Sequence, residues 1–343
     1  IFASELKVFY NIKDFKITIE KQVLWDHFVF GPKPGGETYL KGIFELPPGT
    51  NIIIEQNCIK EEEYFNLSET FDNQTERVDL NEIEELLVSA INLRLRTDVP
   101  LATINSGGID SSLISAITKK SVNNLKTYSI APFTSKNKTL PGDESFFAGL
   151  LSKHIQSNHD TIRYSKEDFF SSLDESIRVN DGELYHSNSV LMNLLFSRIK
   201  NDGVSVVLGG EGADEIFGGY YSNRLFHLCR IAGNFIGDKA IFSKYKSKKF
   251  LKEISIDTKR VIPFLRSNYL SPQKANQLLN IKGEIHPDRS KLIKTMSEMS
   301  PGNALSYYEQ RTYLSGLLRR ADRMSMMNQV ELRVPFLDHR LVI

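Results

Sequence analysis

The chain has 343 residues, of which 41% are hydrophobic and 25% are charged, and its formal net charge is +1 at pH 7. Near-neutral charge argues against a nucleic-acid partner, and no apolar run approaches the roughly 20 residues of a membrane-spanning helix. The two cysteines, Cys58 and Cys229, lack a paired motif, so the composition predicts a globular enzyme of the reduced cytoplasm without a zinc ribbon or disulfide framework.

The first part of the sequence differs in pattern from the rest. Residues 1–60 alternate short apolar runs with clusters of glycine and proline, which is typical of short strands and loops. An acidic, polar stretch at 61–76 is interpreted as a linker. From Val78 to Leu93 apolar residues recur at helical spacing and predict an amphipathic helix. This helix begins a second domain, residues 77–343, which is long enough to bury a substantial core.

A candidate anion site follows this helix. An apolar run from Val99 to Ile104 leads into small residues and then into a helical pattern from Leu113 to Lys120. A strand, a turn and a helix N-terminus in this order bind anions, because free N–H groups and the helix dipole face the ligand. Glycine also lets a ligand approach the backbone closely. We therefore predict that phosphate contacts the small turn residues Ser106, Gly107, Gly108, Ser111 and Ser112.

Asp110 is the unexpected member of this loop. A carboxylate repels phosphate unless a divalent cation lies between them, so we assign Asp110 as a Mg²⁺ ligand. The loop lacks the Gly-Lys-Ser/Thr of the Walker P-loop. These residues fit a pyrophosphate-binding loop better.

A second acidic loop follows a second buried strand. The β-branched run at 204–208 predicts a parallel strand that ends in the glycine-rich loop 209–219. Ligands of open α/β sheets bind beyond the carboxyl ends of strands, so this loop is expected to face the phosphate loop. We assign Asp214 to the same Mg²⁺ as Asp110, and Glu211 as a general base or orienting group for an attacking amine.

Three motifs in this order resemble a known family. The loop Ser106–Ser112 is similar to that of the N-type ATP pyrophosphatases, and Leu208–Tyr220 and Arg323–Asp338 resemble glutamine-dependent asparagine synthetases. The resemblance implies an α/β domain with a parallel sheet, of the PP-loop type that is similar to adenine nucleotide alpha hydrolases. It also implies that residues 1–60 are a remnant of a β-rich N-terminal-nucleophile glutaminase domain, because Phe2–Lys7 and Lys41–Gly49 resemble the last portion of that domain. The chain is therefore expected to be a fragment that is truncated at its C-terminus.

The resemblance also implies the reaction, that of a ligase forming a C–N bond. In asparagine synthase (glutamine-hydrolysing), an enzyme of asparagine biosynthesis, a carboxylate attacks the α phosphorus of ATP, pyrophosphate leaves and ammonia displaces AMP. The implied partners are ATP with Mg²⁺, aspartate or another carboxylate, and glutamine or ammonia, with no nucleic acid and no membrane; a homodimer is left open. Family motifs further place Ile130 on the adenine side and Gly210 among the nucleotide-binding residues.

Two departures from the family keep alternatives open. Ser187 stands where asparagine synthetases carry an arginine that helps bind the aspartate carboxylate, and the family's downstream lysine lies beyond the last residue. A hydroxyl does not replace a bidentate carboxylate clamp. One alternative is a related amidotransferase or a β-lactam-synthetase-like enzyme acting on another carboxylate. The other is an inactive ATP-binding pseudoenzyme, against which the intact Asp110, Glu211 and Asp214 argue.

Overall fold

The computed structural model describes residues 1–343 except 14, 57, 72–78, 134–142, 182–183, 185, 221–222, 224–261 and 263–269. Cys229 and the basic run at 244–249 therefore lie outside the described residues. The protein divides into two compact units. The first unit comprises Ile1–Phe9, Arg77–Ala213 and Leu317–Ile343, and the second comprises Tyr10–Glu76 and Asp214–Gly316.

Short strands and helices alternate along the described residues. The strands are β1 Gly36–Glu37, β2 Phe44–Glu45, β3 Thr50–Glu55, β4 Cys58–Glu63, β5 Leu101–Ile104, β6 Lys126–Pro132, β7 Asn158–Tyr164, β8 Val206–Leu208 and β9 Glu331–Arg333. The helices are α1 Lys21–Phe30, α2 Leu80–Arg94, α3 Ile109–Ser121, α4 Ser145–Ile155, α5 Lys166–Ser171, α6 Leu173–Val179, α7 Asn188–Asn201, α8 Ala213–Phe217, α9 Pro272–Leu279, α10 Pro287–Met296, α11 Pro301–Glu309, α12 Ser315–Met327 and α13 His339–Val342. Short 3-10 helices span Leu6–Asn11, Leu67–Phe71 and Pro335–Leu337, and a π-helix spans Gln310–Leu314.

The first unit is built on a five-stranded sheet with the order β7-β6-β5-β8-β9. All four strand pairs are parallel; in the register of the central strand, Ala102 lies opposite Lys126 on β6 and Val207 on β8. Parallel strands need helical crossovers, which α3, α4 and α7 supply between successive strands. The predicted α/β fold with a parallel sheet is confirmed, as is the predicted helix that here spans Leu80–Arg94.

Both faces of this sheet are covered by apolar side chains of helices. Neighbouring residues of one strand point to opposite faces: Val207 packs in a cluster with Phe196 and Met324, whereas Leu208 packs in a second cluster with Ile91 and Ile114. The carboxyl ends of β5 and β8 are therefore fixed between two cores. Both candidate loops leave the sheet at these ends.

The second unit contains small hairpins and helices. The pairs β1-β2 and β3-β4 are antiparallel, and two apolar clusters form around Tyr308 and around Trp25. Arg289 is fully buried: its Nε donates to Asp26 Oδ2 at 2.8 Å, and its Nη1 donates to the Tyr308 hydroxyl at 2.6 Å. A buried charge needs such partners to offset its loss of hydration.

Two parts of the protein differ from the sequence expectation. Residues 1–60 contain the predicted short strands but also the ten-residue helix α1, in which Asp26 is buried. The closely spaced charged residues from Arg319 to Arg333 favour a helix in the sequence, but the helix ends at Met327 and is followed by β9. Gln329, with φ of 54°, reverses the backbone there. Among the residues that the structure describes, no helix is long and apolar enough to cross a membrane.

Candidate active site

The phosphate loop lies between β5 and α3, as predicted. Gly108 is the N-cap of α3 and, because glycine has no side chain, it provides no side-chain capping hydrogen bond to the N–H groups of the first turn. Ser106 is exposed, Gly107, Gly108, Asp110 and Ser112 are partly buried, and Ser111 is buried. The loop thus presents backbone donors and the Asp110 side chain near the same surface, at the end of the central strand.

Hydrogen bonds among the loop's own serines stabilise its conformation. Ser111 Oγ accepts a hydrogen bond from the Ser106 backbone N–H at 3.1 Å and lies 3.0 Å from Ser106 Oγ. The Ser106 hydroxyl also accepts from the Gly108 N–H at 3.3 Å. Ser111 was predicted to contact phosphate. In this structure its hydroxyl makes hydrogen bonds within the loop. Its predicted phosphate contact remains a prediction.

Gly107 occupies a position that glycine alone fits well. Its φ is +94°, a conformation that costs a residue with a Cβ about 1–3 kcal/mol. A Cβ there would also clash with the carbonyl oxygen of Glu144 and would lie 3.0 Å from the backbone nitrogen of Ala148. The start of α4 therefore lies directly against the loop, and both conformation and space require glycine.

The second loop lies against the first one. A Cβ at Gly210 would lie 3.1 Å from the backbone nitrogen of Ser111 and 3.3 Å from Asp110 Cβ. The Gly210 backbone therefore touches the first turn of α3. The predicted meeting of the loops at the carboxyl ends of β5 and β8 is found for 105–112 and for the part of the second loop up to Ala213, which belongs to the same unit.

Glu211 follows this contact; the residue is partly buried, and its Oε2 is buried. Its Oε2 accepts no hydrogen bond from any residue that the structure describes. Burial raises the pKa of Glu211 above its usual range, while its own backbone N–H and the charge of Arg320 partly oppose this rise. A carboxylate in such surroundings gains from taking up a proton, so it is chemically suited to act as a base.

The third motif supports the loop that carries Glu211. A Cβ at Gly209 would clash with Glu211 Oε2 and would lie 3.0 Å from Leu332 Cδ1, and one at Gly212, where φ is +95°, would clash with Leu337. The Gly209 N–H donates to the Arg333 carbonyl at 2.9 Å. Residues after α12 thus pack against the second loop, which explains why the motifs occur together in one sequence.

The remaining predicted residues lie in different places. Asp214 belongs to the second unit, whereas Asp110 belongs to the first, so their shared Mg²⁺ remains a prediction. No group of three or more acidic, histidine or cysteine side chains suited to a metal is found among the described residues. Ile130 is partly buried on β6 and packs against the core that contains Val207. Its predicted contact with adenine is untested.

Comparison with known proteins decides the family. The family model described as asparagine synthase matches residues 82–343, which contain both loops and the third motif. The chain belongs to the asparagine synthase family.

Curated relatives agree with this assignment. The chain is 29% identical to asparagine synthetase [glutamine-hydrolyzing] 3 of Bacillus subtilis, over 100% of its own length and 54% of that protein. It is 26% identical to putative asparagine synthetase [glutamine-hydrolyzing] 2 of Methanocaldococcus jannaschii, over 98% of its own length and 67% of that protein. Amidase chry2 of Gibberella zeae is 25% identical over 89% of this chain and 52% of that protein. The chain spans about half to two thirds of the length of these relatives.

Two residues of the asparagine synthase region were not singled out from the sequence. Asn105 is buried at the end of β5; its Nδ2 donates to the Ala148 carbonyl at 3.1 Å, and its Oδ1 accepts from the Gly107 N–H at 3.2 Å. Arg320 lies among closely spaced charged residues, which are typical of a salt-bridged surface, but it is partly buried and its charge acts on Glu211 and on His186. Asn105 could have been found in the sequence, because it is a polar residue at the end of an apolar strand. No feature of the sequence indicated Arg320.

Proposed function

We propose that this protein performs the amide-forming part of an ATP-dependent synthetase reaction, acting as asparagine synthases do through an acyl-adenylate. Membership of the family supports this assignment. One structural observation carries it: the Gly210 backbone lies against Asp110 and Ser111, so the residue directly before Glu211 touches the phosphate loop. A base beside a phosphate site suits a reaction in which one substrate is activated by ATP and then attacked by an amine.

In the proposed first step, the phosphate loop binds ATP. The N–H groups at the start of α3 and the helix dipole stabilise the negative charge that develops on pyrophosphate as it leaves. Gly107 and Gly108 let the phosphates approach the backbone. The acceptor carboxylate attacks the α phosphorus, one P–O bond forms as the bond to pyrophosphate breaks, and the products are acyl-adenylate and pyrophosphate.

Carboxylates at both loops would hold the magnesium ion of the nucleotide. Mg²⁺ is commonly bound by one or two carboxylates together with substrate phosphate oxygens, so it does not need a ready cluster of three protein ligands. From their motifs we assign it to Asp110 and Asp214. When bound, the ion supplies charge neutralisation to the phosphates.

Glu211 acts in the proposed second step. Ammonia attacks the acyl carbon, the bond to AMP breaks, and the nitrogen must lose a proton as the amide forms. Glu211 Oε2 is buried and available to accept that proton. The adenylate must also be shielded from water, because it would otherwise hydrolyse. We propose glutamine as the source of ammonia in the longer protein, with free ammonia as a substitute.

Aspartate is the first acceptor to test, and another carboxylate is the alternative. Ser187, which stands where the family's arginine is expected, is exposed at the N-cap of α7 and makes no capping hydrogen bond with its side chain. A hydroxyl binds a carboxylate less tightly than a guanidinium does. One relative bears the name amidase rather than asparagine synthetase. Both facts favour a test with several acceptors.

The experiment is release of pyrophosphate by the full-length gene product with ATP, Mg²⁺ and ammonia, in the presence of aspartate or of a panel of other carboxylates. We expect pyrophosphate, AMP and an amide in equal amounts, and only when an acceptor is present. Asparagine as the product identifies aspartate as the acceptor. Turnover with another acid assigns the protein to a related amide-forming reaction, whereas bound ATP without turnover for any acid contradicts the proposed function.

A further inference from the structure

Asn105 connects three elements of the first unit through one fully buried side chain. It follows β5, and its backbone N–H donates to the Tyr128 carbonyl of β6 at 2.7 Å, which fixes its backbone to the sheet. Its Nδ2 donates to the Ala148 carbonyl of α4 at 3.1 Å, and its Oδ1 accepts from the Gly107 N–H at 3.2 Å. The sheet, α4 and the phosphate loop therefore meet at one amide.

The two partners of this side chain require an amide. The Ala148 carbonyl only accepts and the Gly107 N–H only donates, so the side chain between them must offer one donor and one acceptor. Aspartate lacks the donor, and leucine lacks both groups. Because a buried polar group without a partner costs free energy, either replacement disfavours the present arrangement of the loop and α4. One orientation of the Asn105 amide satisfies both neighbours.

The amide acts on the loop residue that tolerates the least movement. Gly107 has a φ of +94°, and a Cβ on it would clash with the Glu144 carbonyl and lie 3.0 Å from the Ala148 nitrogen. Asn105 thus bonds both to Gly107 and to the turn of α4 against which Gly107 packs. A shift of α4 away from the loop, or of the loop away from α4, breaks one of its two hydrogen bonds.

The first turn of α3 is held in a different way. The Ser115 hydroxyl donates to the Ser111 carbonyl at 2.9 Å and lies 2.8 Å from the Thr103 hydroxyl. Since a hydroxyl has one proton, Thr103 is the donor in the second contact. Neither bond involves Asn105. Loss of the Asn105 amide should therefore loosen residues 106–108 while α3 keeps its place on β5.

We propose that Asn105 is a positioning residue for ATP, because it holds the phosphate loop against α4 in the conformation that binds the phosphates. This inference rests on the proposed function. A loop that is already ordered loses less conformational freedom when its ligand binds, so the ligand binds more tightly. Asn105 has no assigned contact with the nucleotide, and its effect on ATP passes through Gly107.

The test compares the full-length gene product with its variant Asn105→Leu, which has a similar shape but neither hydrogen-bonding group. We expect the dissociation constant for ATP, measured by titration calorimetry, to rise about tenfold, the usual scale for losing one or two hydrogen bonds. The KM for ATP should rise in parallel, whereas kcat at saturating ATP, acceptor and ammonia should stay within about threefold of wild type.

Asn193→Leu is the matched control. Asn193 is also a buried asparagine of the first unit: its Nδ2 donates to Ser176 Oγ at 3.3 Å, and its Oδ1 accepts from Asn328 Nδ2 at 2.9 Å. None of these hydrogen bonds involves the phosphate loop or α4. The control should lose thermal stability, as Asn105→Leu does, and should keep the wild-type affinity for ATP. Equal losses of ATP affinity in the two variants would overturn the positioning role.

Asn105→Ser keeps the test decisive where the leucine variant does not fold. A serine hydroxyl still accepts from the N–H two residues later, as it does in turns, but it is too short to reach the Ala148 carbonyl. We expect a loss of ATP affinity of about threefold. Wild-type affinity in folded Asn105→Leu, or in Asn105→Ser where the leucine variant does not fold, overturns the positioning role and leaves the proposed function standing. A wild-type protein that does not bind ATP overturns both.

Discussion

Replacement of Glu211 by glutamine is expected to lower the rate of amide formation by about 10²- to 10⁴-fold, the usual contribution of a general base. Glutamine has nearly the same shape but does not accept the proton that the attacking nitrogen loses. Because Glu211 has no assigned contact with the nucleotide, the affinity for ATP should stay within about threefold of wild type. The measurements are the rate of amide formation with saturating ammonia and a separate titration with ATP.

The matched control is Glu167→Gln, which changes an exposed glutamate in the first turn of α5 and should leave the rate unchanged. The pH profile gives a second readout. Burial raises the pKa of Glu211, and the base acts only when deprotonated, so the rate should fall with decreasing pH at values above the ordinary range of a glutamate. Full activity of Glu211→Gln would remove Glu211 from the mechanism.

Replacement of Gly107 by alanine is expected to weaken ATP binding by about 10- to 100-fold. The backbone strain of about 1–3 kcal/mol and the clash with the Glu144 carbonyl must be relieved by moving the loop or the start of α4. Either movement changes the position of the loop backbone and of the start of α3 relative to the phosphates. Every 1.4 kcal/mol lost from binding is a tenfold change in affinity. The dissociation constant for ATP, measured by titration calorimetry, gives the result.

Gly203→Ala is the control for backbone strain alone. Gly203 also has a positive φ, of 77°, but a Cβ there would meet nothing within 4 Å, and it lies between α7 and β8. This variant should lose some thermal stability and keep its affinity for ATP. Equal affinities in Gly107→Ala and wild type would show that the loop does not bind the nucleotide through its backbone.

The sheet and its two loops could be predicted because their signals are local. A continuous apolar run followed by small residues is enough to place β5 and β8 and the turns after them, and parallel strands bring those turns to one edge. The positions of Gly107 and Gly210 agree with this expectation. Residues that act through backbone geometry could thus be predicted from the sequence pattern.

The helix α1 was missed because its burial depends on a distant partner. Asp26 is an ordinary surface residue by type, and its contacts with Arg289 and with the His286 backbone N–H, far along the sequence, allow it to be buried. The result is a helix without a clear polar face, which helical periodicity does not detect.

Arg320 and β9 were missed for related reasons. The dense arginines after Leu318 resemble a solvated helix face, and burial of one of them is a tertiary effect. The segment Glu331–Arg333 is too short and too polar for its sequence to indicate a strand. Their strand exists because they pair with the buried strand Val206–Leu208. At this edge of the sheet, pairing with a buried neighbouring strand favours the extended conformation more than the segment's own sequence does.

The measurement that tests the central claim most directly follows the oxygen of the acceptor. The acceptor carboxylate is labelled with ¹⁸O and incubated with ATP, Mg²⁺, ammonia and the full-length gene product, and the products are examined by mass spectrometry. Attack on the α phosphorus leaves one labelled oxygen on AMP when the amide forms, and this is the expected result. Label in inorganic phosphate, with ADP as the second product, would show attack on the γ phosphorus and would contradict the acyl-adenylate.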